Sequence, residues 1–341
     1  MSLRVAVVGA TGAVGREIVQ TLERRSFPVD ELTAYASHRS AGMRLPFGGG
    51  EIEVRDLDHA SWDGVDVGLF SAGALVSREL APKAAGAGAI VVDNSSAFRM
   101  APDVPLVVPE INPEAVRRHR GIVANPNCTA IVAVMAAAPL HWAAGLTSLV
   151  VSSYQSVSGA GQRGVRELLE QVEKLRGQED ELGRPDPGVL PSGDVFGRTI
   201  AYNVIPRGGS FEEDGWTTEE RKLADESRKI LDLPELPIAA TVVRVPVIAG
   251  HAVSVYMEFG REFAPHEARE ALASFPGVRV VDDPAADLFP TPLDAAGRDD
   301  VLVGRIRRAG ANGLSLFAVG DNLRKGAALN AVQIAELLFS S

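Results

Sequence analysis

The N-terminal segment LRVAVVGATGAVGREIVQTLERR constrains the fold of this chain more than any other feature. An apolar run ends at Gly9, Gly12 and Gly15 follow at intervals of three residues, and the next residues have helical periodicity. Glycines in such a turn let phosphate groups approach backbone N–H groups, and the helix N-terminus favours their charge. The segment therefore predicts a strand, a turn and a helix that bind a dinucleotide. The alternative is a tight strand–helix turn that binds nothing.

The next predicted strand, ELTAYAS, indicates which dinucleotide is bound. An NAD site usually places an Asp or Glu at the end of this strand, where it bonds the ribose hydroxyls. This chain has Ser37, His38, Arg39 and Ser40 there instead. A cation flanked by hydroxyl groups suits a 2′-phosphate, so we predict NADP as the cofactor. A solvated loop with an isolated arginine is the other interpretation.

Further alternation of strands and helices predicts the fold of the first domain. The strand DVGLFSAG, the helix-like VSRELAPKAAGAG and the strand AIVVDNS follow in order. This alternation is typical of the parallel, doubly wound α/β sheet of a Rossmann domain. Ser71 closes one of these strands and could contact the cofactor.

The second half of the chain predicts a different sheet. We expect strands at LTSLVVSSYQS, IAATVVRVPV, HAVSVYMEFG, VRVVD and SLFAVGD, with helices between them. This pattern predicts a mixed or antiparallel sheet that helices cover on one side. The final segment, GAALNAVQIAELLFSS, is expected to form an amphipathic helix that packs back on the first domain. The polar, Pro- and Gly-rich stretch RGQEDELGRPDPGVLPSGDVFGR predicts a surface loop.

Composition limits the compartment and the partners. One cysteine in 341 residues cannot form an intrachain disulfide, which suits a reducing compartment. The chain opens directly into a strand and has no apolar run of membrane-spanning length, so we expect a cytoplasmic protein without membrane contact. A net charge of −10 disfavours nonspecific binding to nucleic acid. No cluster of His, Cys and carboxylates has ligand spacing, so we expect no metal.

The single cysteine, Cys128, lies in the stretch ANPNCTA. The longer segment RGIVANPNC predicts a strand, a proline-stiffened turn and a helix start, with Asn127 as N-cap and Cys128 as the first helical residue. A helix N-terminus lowers the pKa of a thiol, and ligands of α/β sheets usually bind at strand ends. Cys128 is therefore a candidate nucleophile. A buried structural cysteine is the alternative.

A thiolate beside a nicotinamide suggests one reaction type. The sulfur attacks an aldehyde to form a hemithioacetal, a hydride leaves to NADP, and the acyl group of the thioester passes to water or phosphate. This chemistry needs a general base and an oxyanion partner. His251 follows a strand and a short turn and has a suitable pKa, and Gln155 closes the strand LTSLVVSSYQ. A structural histidine and a solvated glutamine remain alternatives.

Several charged residues are candidates for substrate contacts. Arg244 lies on a probable strand among valines, where either a substrate carboxylate or an internal salt bridge could pair with its guanidinium. Glu219 and Lys222 lie three residues apart on a predicted helix, and this spacing alone favours a solvated charge pair. Glu220 is an adjacent alternative to Glu219. Arg99, taken alone, fits an ordinary surface arginine.

The chain resembles the bacterial type of aspartate-β-semialdehyde dehydrogenase nearly from end to end. The resemblance is carried by GATGAVG, ASHRSAG, VVDNSSAFRM, VPEIN, ANPNCTA, SYQSVSGAG, NVIP, EEDGWTTEERK, RVPVIAGH and GDNLRKGAALNAVQIAE, in matching order and spacing. It implies an α/β architecture in two parts. Residues 1–127 with 320–341 would form the NADP-binding Rossmann domain. Residues 128–319 would form an α+β catalytic and dimerisation domain of the glyceraldehyde-3-phosphate dehydrogenase-like type.

The resemblance also implies a role for each candidate residue. Cys128 would be the acyl-thioester nucleophile, His251 the general acid/base, and Gln155 the residue that orients the substrate and the hemithioacetal oxygen. The residues implied for the substrate are Arg244 for its carboxylate, Glu219 for its ammonium group, and Arg99, Lys222 and Asn127 for phosphate. The cofactor contacts, from the resemblance and from the turns, are Gly9, Thr11, Gly12, Ala13, Val14, Ser37, Arg39, Ser40, Ser71, Ser158, Gly159 and Asn322.

The reaction implied is the reversible, NADPH-dependent reductive dephosphorylation of L-4-aspartyl phosphate to L-aspartate 4-semialdehyde. It would serve the synthesis of lysine through diaminopimelate and of threonine, methionine and isoleucine, in a homodimer or a dimer of dimers. One alternative is N-acetyl-γ-glutamyl-phosphate reductase, whose acetylated substrate lacks the ammonium group for Glu219. Another is a non-catalytic NADP-binding paralogue. Arg207-Gly208 departs from the family pattern, and we expect this to affect subunit packing rather than chemistry.

Overall fold

The computed structural model describes residues 2–184, 188 and 190–339, which form two β-sheets with helices packed on them. The strands are β1 Leu3–Val8, β2 Val29–Ala36, β3 Arg44–Phe47, β4 Gly50–Asp56, β5 Val67–Phe70, β6 Ile90–Asp93, β7 Ile122–Ala124, β8 Leu146–Gln155, β9 Ile238–Arg244, β10 His251–Phe259, β11 Val278–Val280, β12 Val301–Arg308 and β13 Gly313–Gly320. The helices are α1 Ala13–Arg24, α2 Ala74–Gly86, α3 Cys128–Ala144, α4 Gly161–Leu175, α5 Thr218–Leu231, α6 Pro265–Ala273, α7 Pro292–Ala295 and α8 Leu329–Phe339.

The first sheet is the predicted Rossmann sheet. Its strand order is β3-β4-β2-β1-β5-β6-β7, and all neighbours are parallel except β3 and β4. The chain order reverses between β1 and β5, which is where a doubly wound sheet binds its ligand. The antiparallel β3–β4 hairpin adds an edge to the predicted fold. It turns at Gly48 and Gly49, both of which have positive φ.

Helices on both faces explain why β1 is almost entirely apolar. Val5 and Val7 pack into the cluster that contains Ile18 of α1 and residues of α8. Ala6 and Val8 point the other way, into the cluster with residues of α2. The C-terminal helix therefore packs on the first sheet, as predicted.

The second sheet is mixed, as predicted, with the order β11-β12-β13-β10-β8-β9. The pairs β8–β9 and β11–β12 are parallel, and the others are antiparallel. Helices α3, α5 and α6 cover one face through a shared apolar core. The opposite face is partly open, since Val150 is 41 % and Tyr154 39 % exposed. Strand β12, VLVGRIRR, is missing from the prediction, because Gly304 and the arginines interrupt its apolar alternation.

Helix α3 is the central helix of the second core. Thirteen of its residues are buried, so it has no polar face, and Cys128 stands at its N-terminus. The predicted loop over residues 176–198 contains a 3₁₀ turn, Glu179–Gly183. Residues 185–187 and 189 of that prediction lie outside the described residues. Within the described part of the chain, no helix is both long enough and apolar enough to cross a membrane.

Candidate active site

A cavity of about 410 Å³ lies where the two sheets meet, and we call it the Cys128 cavity. Residues that follow β1, β5, β6 and β7 line one side, and residues at the ends of β8 and β9 and at the start of β10 line the other. The lining residues are Gly12, Ala13, Val14, Ser71, Gly73, Ala74, Asn94, Ser95, Ser96, Arg99, Pro126, Asn127, Cys128, Gln155, Ser158, Gly159, Gly161, Glu219, Lys222, Arg244, His251, Asn322, Leu323, Gly326 and Ala327.

Cys128 is the first residue of α3, and Asn127 is its N-cap, as predicted. Asn127 Oδ1 accepts hydrogen bonds from the N–H groups of Thr129 at 2.9 Å and Ala130 at 3.4 Å. The expected lowering of the thiol pKa is not found. Burial and the Glu219 carboxylate raise the pKa of Cys128 and outweigh the two nearby arginines. The resting group is therefore a neutral thiol, which must lose its proton before the sulfur can act as a nucleophile.

His251 is the first residue of β10 and is fully buried. Burial, and then the charge of Arg244, lower its pKa well below 6.5, so the ring is neutral. The backbone N–H of Ser156 donates to His251 Nδ1 at 3.1 Å. That bond keeps the ring proton on Nε2, which has no partner among the described residues and belongs to a residue that lines the cavity. The Ser156 hydroxyl, 3.0 Å from Nδ1, can accept if the proton moves there.

Gln155 ends β8 next to the nucleophile. Its Nε2 donates to Thr129 Oγ1 at 2.7 Å, while its Oε1 is buried and has no partner in the part of the chain that the structure describes. Thr129 in turn is one of the groups that lower the pKa of the Cys128 thiol through a hydrogen bond. Gln155, Thr129 and Cys128 therefore form a connected polar row, with one amide oxygen left for a ligand.

Arg244 is distinct among the cations of the cavity. Within the described residues, Arg99 and Lys222 each have a carboxylate partner, whereas Arg244 has none. Its Nη1 donates to the carbonyl of Ser156 at 3.1 Å. An internal salt bridge, the alternative left open by the sequence, is thus absent from the described structure. A half-buried guanidinium that no carboxylate pairs with favours an anionic ligand.

Glu219 faces the same cavity from α5. Lys222 Nζ donates to one of its oxygens at 2.7 Å, and Asn127 Nδ2 donates to the other at 2.9 Å. Burial raises the pKa of Glu219, but Lys222, Asn127 and Arg244 outweigh burial and the net shift is downward. The carboxylate is therefore ionised and available for a cation. The neighbouring Glu220 instead closes a capping box with Thr217, which excludes it as the alternative.

Arg99 is not the ordinary surface arginine that its sequence context favours, because it is only 7 % exposed. Its three nitrogens donate to the carbonyl of Asn125, the carbonyl of Asn94 and the Glu226 carboxylate, at 2.9, 2.9 and 3.0 Å. One N–H on each terminal nitrogen remains for a ligand.

The N-terminus of α1 fits the predicted cofactor. Gly12 is its N-cap and makes no side-chain capping bond, so the first-turn N–H groups of Ala13 and Val14 are available at the cavity. Gly9 has φ +84°, and a Cβ there would lie 2.4 Å from the Ser71 carbonyl oxygen. Only glycine therefore allows this turn to lie so close to the end of β5. Donors of this kind suit the pyrophosphate of NADP.

Not all predicted cofactor residues line the Cys128 cavity itself. Gly9, Thr11, Ser37, Arg39 and Ser40 lie outside its lining, although Thr11 Oγ1 donates to Ser40 Oγ at 3.3 Å and so links the two turns. Ser37 and Arg39 are exposed on the turn after β2, and Arg39 has no ion pair within the described residues. This position is consistent with an adenosine end that extends beyond the cavity.

The sequence prediction missed four residues that shape the site. These are Thr129, Ser156, Glu226 and Gly326. Gly326 lies in a π-helical turn, Arg324–Ala328, and a Cβ on it would lie 3.0 Å from Cys128 Cβ. A weak signal existed for Glu226 alone, since it lies seven residues after Glu219 and hence on the same face of α5.

Gly208, part of the Arg207-Gly208 departure, contacts a residue that lines the cavity. A Cβ at Gly208 would lie 2.5 Å from Val242 Cγ1 and 2.8 Å from Glu219 Cβ. Its carbonyl accepts the N–H of Glu219 at 3.2 Å. The segment therefore sets the start of the Glu219 side chain. The sequence could not show this, because Gly208 contacts Glu219 only after α5 has packed.

Comparison with known proteins identifies relatives over the whole chain. A family model described as the NAD binding domain of semialdehyde dehydrogenase matches residues 4–119, and one described as the dimerisation domain of semialdehyde dehydrogenase matches residues 137–325. The aspartate-semialdehyde dehydrogenase of Aquifex aeolicus is 50% identical over 99% of this chain and 98% of its own length. That of Bacillus subtilis is 48% identical over 98% of this chain and 97% of its own.

A solved structure gives the same result. The crystal structure of aspartate semialdehyde dehydrogenase II from Vibrio cholerae, complexed with ASA, is 42% identical and superposes with a TM-score of 0.94. The match covers 100% of this chain and 99% of that one.

Proposed function

Because the chain belongs to the aspartate-semialdehyde dehydrogenase family, we propose that it converts L-4-aspartyl phosphate reversibly to L-aspartate 4-semialdehyde, with NADPH as reductant. The observation that carries the proposal is that one cavity is lined both by the N-terminus of α1 and by Cys128 at the N-terminus of α3. A dinucleotide held at the first helix would bring its reactive end toward the sulfur at the second.

The cofactor site would use the chain's glycine turn and the loops around it. Gly12, Ala13 and Val14 would hold the pyrophosphate, Arg39 and Ser40 the 2′-phosphate, and Ser71, Ser158, Gly159 and Asn322 would line the path to the nicotinamide. NADPH, when bound, supplies the hydride that reduces the thioester to the level of the aldehyde.

Cys128 would exchange the phosphate for a thioester. In the biosynthetic direction a phosphate oxygen of the substrate takes the thiol proton, the sulfur forms a bond to the acyl carbon, and the carbon–oxygen bond to phosphate breaks. In the reverse direction phosphate attacks the thioester and Cys128 leaves. Lys222, Asn127 and the remaining N–H groups of Arg99 would hold the phosphate, since all three residues line the cavity.

His251 would stabilise the oxygen of the hemithioacetal that Cys128 forms with the aldehyde. In the neutral state selected by Ser156, its Nε2–H is a hydrogen-bond donor to that oxygen. His251 can accept a proton at Nε2 only in its other neutral tautomer. In that tautomer Nδ1–H donates a hydrogen bond to the Ser156 hydroxyl. Gln155 would orient the same oxygen or the substrate through its free amide groups.

Two charged residues would select the amino-acid end of the substrate. Arg244 would bind its α-carboxylate, because no carboxylate among the described residues pairs with this guanidinium. Glu219 would bind its ammonium group in competition with Lys222, which would then turn to phosphate.

The wider context follows from the same assignment. We propose that residues 1–127 with 320–341 form one domain and residues 128–319 the other. We also propose that the protein is a homodimer or a dimer of dimers, in which the partly open face of the second sheet forms the interface between two subunits. We place the enzyme in the cytoplasm, in the synthesis of lysine, threonine, methionine and isoleucine.

A direct assay tests the function. Purified protein is mixed with NADP, phosphate and L-aspartate 4-semialdehyde, and the absorbance of reduced nicotinamide is followed. We expect phosphate-dependent reduction with this aldehyde and none with N-acetylglutamate semialdehyde. A signal only with the acetylated aldehyde would assign the chain to the acetylglutamyl-phosphate reaction. Bound NADP without turnover of either aldehyde would indicate a non-catalytic protein.

A further inference from the structure

Glu226 is a buried carboxylate that has no role in the proposed mechanism. It lies on α5, is 1 % exposed, and does not line the Cys128 cavity. Arg99 Nη1 donates to its Oε1 at 3.0 Å, and the backbone N–H of Asn127 donates to its Oε2 at 2.5 Å. Burial raises the pKa of Glu226 and outweighs Arg99 and the Asn127 N–H, which favour the ionised form.

The two contacts of Glu226 reach two separate parts of the site. Asn127 is the N-cap of the helix that carries Cys128, so Glu226 holds the backbone directly before the nucleophile. Arg99 is also tied to the carbonyls of Asn94 and Asn125, so Glu226 is the only one of its three acceptors that lies on α5.

Helix α5 also carries the residues proposed to bind substrate. Glu219 and Glu226 are two turns apart on one face, with Lys222 between them. Glu219 accepts from the side chain of Asn127, and Glu226 accepts from its main chain. Asn127 is thus held at two points by the same helix. Both contacts therefore tie the helix that carries Glu219 and Lys222 to the turn directly before Cys128.

We propose that Glu226 is a positioning residue: it aligns α5 with the Cys128 turn and directs the free N–H groups of Arg99 toward the phosphate. The inference rests on the proposed function, because it takes phosphate as the ligand of Arg99 and Lys222. It predicts that loss of the carboxylate weakens phosphate binding and slows turnover, beyond any loss of stability.

A matched control separates positioning from a merely structural role. Glu167 on α4 is also buried, at 9 % exposure, and accepts the backbone N–H groups of Val195 and Phe196 at 2.7 and 3.1 Å. It does not line the Cys128 cavity. Glu167→Gln therefore also alters a buried carboxyl group that accepts two hydrogen bonds, and should reduce stability while leaving kcat and the KM for phosphate unchanged.

The experiment compares wild type, Glu226→Gln and Glu167→Gln in the NADP-reduction assay over a range of phosphate concentrations. For Glu226→Gln we expect the KM for phosphate to rise about tenfold, as when an outer hydrogen-bond partner of a ligand-binding residue is lost. We expect kcat/KM to fall about 100-fold, as for a small misplacement of reacting groups. Wild-type phosphate dependence and kcat in Glu226→Gln, with only the stability loss of Glu167→Gln, would overturn the proposal.

A second readout does not need turnover. Cys128 is the only cysteine in the chain, so its alkylation by iodoacetate reports this site alone. Inorganic phosphate should protect Cys128 in the wild type and in Glu167→Gln, and Glu226→Gln should need about ten times more phosphate for half-protection. Equal half-protecting concentrations in all three proteins would refute the positioning role.

If Glu226→Gln does not fold, Glu226→Asp answers the same question. Aspartate keeps the charge but is one methylene shorter, so it cannot reach both Arg99 and Asn127. We expect a raised phosphate requirement in both assays, and a folded Glu226→Asp with wild-type values would overturn the inference. A wild type without turnover would instead refute the proposed function, whereas wild-type turnover with no difference between the variants refutes this inference alone.

Discussion

Beside the Cys128 cavity lies a second group of buried polar side chains. The two regions differ in how many of their polar atoms have hydrogen-bond partners. The second group, the Lys325 cluster, consists of Lys325, Glu110, Asn330 and Gln333. Lys325 is 1 % exposed, pairs with Glu110, and donates to Asn330 and Gln333 at 2.9 and 2.8 Å. All three donor sites of its ammonium group are therefore used.

The cavity leaves comparable groups without partners. Within the described residues, His251 Nε2 and Gln155 Oε1 are buried without a partner, and no carboxylate forms an ion pair with Arg244. An unpaired buried polar group costs about 1–3 kcal/mol. In the cavity a ligand can complete these groups, whereas the Lys325 cluster is complete without one. The two regions lie side by side, because the π-helical turn that holds Lys325 also brings Gly326 against Cys128.

The largest effect expected is on the cavity side. Cys128→Ala should reduce the rate of NADP reduction by about four orders of magnitude or more, because no other group can form the thioester. Its urea unfolding midpoint should stay close to that of the wild type, since Cys128 as a residue is only half-buried and forms no ion pair among the described residues. Activity within tenfold of the wild type would show that the unpartnered groups serve another reaction.

On the other side of the comparison, Lys325→Met should affect stability first. It leaves Glu110 buried without its cation, which should reduce the free energy of unfolding by about 3–5 kcal/mol. Urea unfolding at one fixed protein concentration measures the change. The double variant Lys325→Met with Glu110→Gln should recover part of the loss, because no uncompensated charge remains. If Lys325→Met were as stable as the wild type, the Lys325 cluster would not stabilise the fold, and the two regions would not differ in this respect.

A smaller effect is expected for Arg244→Lys, which keeps the positive charge but replaces the planar guanidinium with an ammonium group. The kcat/KM for L-aspartate 4-semialdehyde should fall about 10- to 100-fold, mainly through KM, because an ammonium group cannot replace a two-point contact with a carboxylate. Arg228→Lys is the matched control, since Arg228 pairs with Asp225 on the same helix as Glu219 and lies outside the cavity lining. Equal losses in both variants would argue against a substrate contact at Arg244.

The smallest effect concerns pH. The folded-state pKa of His251 lies well below the value of about 6.5 in the unfolded chain, so below pH 6.5 the unfolded chain binds a proton that the folded protein does not. Stability from this residue is therefore present above pH 6.5 and is lost as pH falls, by at most about 1.4 kcal/mol per pH unit.

Unfolding by urea at pH 7.5 and 5.5 measures that loss. The difference between the two pH values should be smaller for His251→Asn than for the wild type. His59→Asn, at an exposed position, should behave like the wild type. An unchanged difference in His251→Asn would mean that His251 takes up a proton in the folded protein.

Much of the fold could be predicted from local patterns. The β1–turn–α1 unit, the N-cap at Asn127 and the start of α3 at Cys128 each depend on residues within a few positions of one another. Strand β12 could not be recognised with the same ease, because its buried residues have neighbours only once β11 and β13 flank it.

The sequence by itself determined the fold class, the dinucleotide turn, the position of Cys128 at a helix start and, through resemblance, the family. Only the tertiary structure decided which charges are paired and which are free. Arg99 and Glu226 are 127 residues apart in the chain, and Ser156 and His251 are 95 apart. The pKa of Cys128 likewise depends on burial and on Glu219, which local helix position does not reveal. Pairing, burial and pKa are properties of neighbours in space, and these exist only after the two sheets have packed around one cavity.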